Sequence, residues 1–186
     1  VVLRVLRPLL LPVANAVRRR SFVKRHVIPW LIKEELGATT SGPEIRGIEG
    51  DVDRLASSDR PILVGPWLSE VGFEVLYWIP FLHWALRQSG VSRERVVVLS
   101  RGGAEPWYRG IAGRYLDVFD DFTQDEFKAK NEERIAALGG QKHNVVTSFD
   151  LEILERAKQT LGTDQLDLLH PSSMYRLFRL FWNRRC

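Results

Sequence analysis

Residues 61–84, PILVGPWLSEVGFEVLYWIPFLHW, constrain the fold more than any other part of the chain. The apolar run Ile62-Leu63-Val64 breaks at Gly65 into a loop holding Glu70, and an aromatic-rich stretch follows at once. A short apolar run bounded by Pro and Gly reads as a buried strand. Followed by a loop and a helix, it is the unit from which open α/β sheets are built. The strand ends, the backbone turns, and the next helix aims its first N–H groups at a ligand.

The rest of the chain continues that alternation. The pattern predicts strands over 62–65, 96–100, 116–119 and 144–147. It places helices over 73–88, 105–114, 125–138, 150–161 and 172–182. Strand and helix alternating through short connections is the signature of an α/β fold with a Rossmann-like parallel sheet flanked by helices. The regular domain spans 61–186. Residues 37–60 are rich in Gly, Ser, Thr and Asp without an apolar period, and read as a linker with a short helical turn near 52–56.

Charge separates the remaining segment, residues 1–36, from the body. The chain carries a net +4, yet residues 1–36 hold eight arginines and lysines against two glutamates, so the body is mildly acidic. A basic head on such a body argues against nucleic-acid binding and confines any anionic partner to the N-terminus. Arg4, Arg7 and Arg18-Arg19-Arg20 interrupt the apolar runs, so no stretch is long enough to cross a membrane. Triple arginine also stands where a signal peptide would need a small-residue cleavage site. Two readings stay open: an amphipathic segment lying on an anionic membrane surface, or a helix or leader with solvated charges. The only cysteine is Cys186, which leaves no internal disulfide and no cysteine metal site and points to a cytoplasmic protein. The chain opens at Val1 and stops just after the apolar periodic run YRLFRLFW, which reads as a piece of a longer protein.

Several residues carry chemistry. Gly65 and Gly72 permit close backbone approach, while Ser69, Glu70 and Glu74 supply polar groups at the carboxyl end of the first strand. A carboxylate there can take a proton from an attacking hydroxyl. The plainer reading is that Ser69 caps the helix and the glutamates lie where its dipole favours anions. Arg101-Gly102-Gly103 follows the second strand directly, which suits a guanidinium gripping phosphate or carboxylate, or a simple glycine turn. Trp107 stands just beyond as a stacking wall or an anchor. His170 precedes a helix start, where Ser172 or Ser173 also reads as a cap. Pro80 falls within the aromatic helix and should kink it or open a new first turn. The four histidines are scattered without metal-ligand spacing, so no metal is expected.

The blocks GPWLSEVGFEVLYWIPFLHWAL, VVVLSRGG followed by WY, and LHPSSMYRLFRLFW together resemble the N-terminal half of bacterial GT-B-type glycosyltransferase-like proteins of surface-polysaccharide or lipopolysaccharide synthesis. The resemblance covers residues 61–186. It implies an acceptor-binding Rossmann-like domain, with a second such domain binding the nucleotide-sugar co-substrate, and no other cofactor. It further implies Glu70 as catalytic base, with His170 and Arg101 lining the acceptor side of the cleft. The partners implied are a glycan or lipid-linked sugar and, through residues 1–36, the inner face of the plasma membrane. Two rivals are a Rossmann-like methyltransferase, whose cofactor would want closer-spaced glycines in the first loop, and a non-catalytic module in polysaccharide assembly.

Overall fold

The computed structural model describes residues 42–140 and 143–182. The basic segment 1–36 lies outside them. Four short strands, β1 (Ile62–Val64), β2 (Val96–Ser100), β3 (Arg114–Asp117) and β4 (Asp167–Leu169), form one sheet in the order β3-β2-β1-β4. Every pairing is parallel; Leu63, at the centre, lies between Val97 of β2 and Leu168 of β4. The fold is therefore α/β with a parallel sheet flanked by helices, consistent with a Rossmann-like arrangement.

Side chains alternate across the sheet and feed two cores. Ile62, Val64, Val96 and Val98 face one layer, with α1 (Gly42–Ala56) and α7 (Pro171–Trp182). Leu63, Val97, Leu99 and Leu116 face the other, with α5 (Gln124–Leu138) and α6 (Ser148–Leu161). Burial on both faces explains why β1 and β2 are uninterrupted apolar runs.

The helix after β1, α2, opens at Val71–Phe73, widens into a π-helical turn at Glu74–Trp78 and continues as Ile79–Ser89. Pro80 explains the widening. It has no N–H to donate and its ring crowds the carbonyl four residues back, so the preceding turn takes a looser register. The short helix α3 (Glu105–Tyr108) and the single turn α4 (Val118–Asp121) complete the set.

Four sequence expectations are corrected, the first being the strand over 116–119, which instead runs Arg114–Asp117 and gives way to the turn Val118–Asp121. Residues 42–56 are a helix, not linker, because Ile48, Val52 and Leu55 recur at helical spacing and are buried. The helix expected over 105–114 stops at Tyr108. Gly113 donates to Arg93 O and Val96 O, and a Cβ there would sit 2.9 Å from Glu94 Cα, so the chain is pinned flat as β3 begins. Residues 144–147 are no strand: Val145 and Val146 are exposed, and Thr147 caps α6. The fourth strand is Asp167–Leu169 instead.

β2 and β3 lie on one side of β1, and β4 lies on the other. The strand order thus reverses between β1 and β4. In open α/β sheets the crevice outside the carboxyl ends at such a reversal is where ligands bind.

Candidate active site

The β1–α2 loop is drawn across the carboxyl edge of the sheet by two backbone bonds. Gly65 N–H donates to Leu169 O of β4, and Trp67 N–H donates to Leu99 O of β2, each at 3.1 Å. Only glycine serves at position 65: its φ is +128°, and a Cβ would stand 2.3 Å from Leu99 O. The turn delivers Trp67, wholly buried, to the strand reversal, where its indole stacks on Trp78, His143 and Tyr175.

Beyond Trp67 the loop borders a cleft of about 440 Å³. Ser69, Glu70 and Phe73 line one wall, Tyr175 of α7 another, and Leu138, Gly139, Gly140 and Asn144 the third. Glu70 is exposed and Ser69 buried. Burial raises the Tyr175 hydroxyl above its ordinary range, while a hydrogen bond with the Ser69 side chain opposes the shift. A larger hollow of about 550 Å³ lies off the amino ends of β1 and β4, around Arg60 and Gly162. It is at the wrong edge of the sheet for this architecture.

The remaining sequence candidates divide. Arg101 does not reach into the cleft: its guanidinium donates to Leu68 O and Ser69 O and so clamps the loop. Glu74 is fully buried and belongs to the core, its Oε1 accepting from Ser100 Oγ and Tyr108 OH at 2.6 Å each. Burial pushes its carboxyl upward, against the two hydrogen bonds. Gly72 faces open space, so no close approach requires it. Gly102 packs on Phe119, which a Cβ would meet at 3.0 Å. Trp107 is 43% exposed and outside the cleft wall.

His170 is buried with a set of polar residues that sequence spacing does not group. Its Nδ1 accepts from Ser172 N–H at 3.1 Å, and its Nε2 lies 3.7 Å from Asp150 Oδ2. It is buried and is not among the residues that line the cleft. Thr147 N–H and Oγ1 each donate to the same Asp150 oxygen at 2.7 Å. Burial raises the Asp150 carboxyl, but His170, His143 and Thr147 outweigh it and hold the group below its usual value. His143 is fully buried with neither nitrogen hydrogen-bonded, and its pKa falls to about 3, chiefly through burial and then through Arg134. Arg134 is 4% exposed; its Nε donates to Asn131 Oδ1, and both terminal nitrogens are buried without a hydrogen-bond partner.

Of the sequence candidates, Ser69 and Glu70 line the cleft; Phe73, Asn144 and Tyr175 beside them, and the buried His143, Asp150 and Arg134, were not among the candidates. One signal was legible: T-x-x-D over 147–150 is a capping box, which marks Asp150 as held in place. No known protein family, curated protein or solved structure matches this chain.

Proposed function

We propose that this chain is the acceptor-side domain of a glycosyltransferase of the two-Rossmann-domain type. The reaction moves a sugar from a nucleotide-sugar to a hydroxyl of a glycan or glycolipid. The observation that carries the reading is Glu70, an exposed carboxylate at the mouth of a cleft that also presents Phe73, Asn144 and Tyr175. Aromatic faces stack on the apolar face of a sugar ring, and amide and carboxylate groups pair with its hydroxyls. A carboxylate within reach of the acceptor hydroxyl serves as general base. Buried His170 takes a positioning role here, accepting from Ser172 N–H at the start of α7 rather than touching substrate.

The test is nucleoside diphosphate release by the full-length protein from a panel of nucleotide-sugars, with and without glycan and lipid-linked acceptors. Acceptor-dependent release is expected. Saturable acceptor binding with no release from any donor would favour the non-catalytic module instead.

A further inference from the structure

We propose that His143, Asp150 and His170 form a binding site for a first-row divalent cation of the Zn²⁺ type. One ligand atom from each of the three lies within 4.8 Å of the other two, and all three residues are buried. The cluster is defined by missing partners. Both nitrogens of His143, Oδ1 of Asp150 and Nε2 of His170 are buried without a hydrogen bond. Leaving such atoms unpaired costs about 1–3 kcal/mol each, so their convergence demands a common partner.

The donor set selects the class of partner. Two imidazoles and one carboxylate suit zinc and its transition-metal neighbours, whereas magnesium and calcium take oxygen ligands. Ligands bound at about 2.0–2.1 Å around a tetrahedral ion lie about 3.3 Å apart. His170 Nε2 stands 3.7 Å from Asp150 Oδ2, the oxygen that Thr147 holds, which leaves the buried Oδ1 as the ligating atom. Burial keeps His143 neutral, the form that ligates. Asp150 is oriented by Thr147, as outer-shell partners orient metal-binding carboxylates.

Two features set the conditions of binding. The Ser172 amide donates to His170 Nδ1, which keeps the ring proton on Nε2 in the metal-free protein. Ligation through Nε2 moves that proton to Nδ1 and breaks the Ser172 contact. Arg134 acts on both His143 and Asp150 electrostatically, and its charge opposes a dication. Its unpartnered terminal nitrogens suit an anionic group in the open fourth position of a three-ligand ion.

The experiment uses the tag-free full chain, stripped with chelator and titrated with Zn²⁺ or Co²⁺ alone. One equivalent of Zn²⁺ is expected by calorimetry, with a visible Co²⁺ band of low-coordinate form. H143A and D150N should each weaken Zn²⁺ by more than about 100-fold, beyond the 10–100-fold typical of outer-shell changes. H83A and C186S should leave it unchanged. Imidazole ¹H–¹⁵N spectra of the unaltered chain serve if either cluster variant fails to fold: Zn²⁺ must shift two of the four histidines. No uptake, uptake indifferent to H143A and D150N, or shifts at His83 and His26 instead would overturn the site. A chain that binds Zn²⁺ but transfers no sugar leaves this proposal standing, so the two readings fail separately.

Discussion

The indole of Trp67 lies nearly parallel to the imidazole of His143, 15° between planes and 5.8 Å between centroids. The pair joins the β1–α2 loop to the segment entering α6 at the point where the strand order reverses. Trp67 also stacks on Tyr175 of the cleft wall, so one buried side chain touches both a cleft-lining residue and the histidine cluster.

Gly65 of that loop and Gly72 at the start of α2 respond oppositely to a methyl group. Gly65→Ala forces a Cβ to 2.3 Å from Leu99 O at a φ of +128°. Positive-φ strain and overpacking together cost about 3 kcal/mol. Gly72→Ala meets nothing within 4 Å and lies in the first turn of α2, so it is neutral or stabilising by up to about 1 kcal/mol. Urea midpoints of the two variants check this, and equal destabilisation would contradict it.

Glu74 gives stability a pH slope of known sign. Burial raises its pKa above 4.5, so the folded state holds this proton more tightly than the unfolded state does. Its contribution is complete below pH 4.5 and is lost as pH rises through the folded value. Glu74→Gln keeps an acceptor for Ser100 and Tyr108 without the charge. The variant should therefore lose less stability than the parent chain between pH 4 and 8, read as denaturation midpoints across the range. Glu74→Ala strands both hydroxyls and should cost about 3 kcal/mol.

Much of this fold was legible because burial writes itself into short runs. PILVG and VVVLS announced β1 and β2, and Gly139 and Gly162 marked where α5 and α6 stop. β4 was hidden because it is a three-residue edge strand with Leu168 exposed, while the β-branched Val145 and Val146 imitated a strand from an exposed loop. The glycines of 42–56 masked a helix that tertiary packing sustains. His143, Asp150 and His170 are seven and twenty positions apart, and only Asp150 lies in a helix, so no periodicity groups them. Only the placement of β4 beside β1 brings His170 to the other two. Arg101 and Glu74 stood at the right edge of the sheet, but residue type and position do not tell whether a charged group faces ligand, loop carbonyls or core.

The capping boxes of α5 and α6 share a geometry and differ in burial. Thr123 and Glu126 are exposed, whereas Thr147 is half-buried and Asp150 fully buried. Loss of a threonine cap costs about 1 kcal/mol in general. Thr123→Ala should cost that much. Thr147→Ala also removes a hydroxyl donor from a buried carboxylate and should cost about 2 kcal/mol or more. Equal losses in thermal unfolding would mean that Asp150 draws nothing further from Thr147.

Glu70 on the β1–α2 loop and Arg101, which follows β2 and clamps that loop, allow the proposed chemistry to be told apart from positioning. Glu70 is exposed, so Glu70→Gln should change stability by no more than about 0.5 kcal/mol. If the carboxylate is the base for the acceptor hydroxyl, the same change lowers kcat by about 10²–10⁴-fold and leaves acceptor binding intact. Arg101 binds Leu68 O and Ser69 O and lies outside the cleft wall. Arg101→Ala should cost about 1–3 kcal/mol through two lost charged hydrogen bonds, and should speed amide exchange in the loop. Its kinetic effect should fall on both KM and kcat, because a loosened loop misplaces Ser69 and Glu70 together. An Arg101→Ala chain with unchanged loop exchange, or a Glu70→Gln chain with parental kcat, would remove the corresponding role.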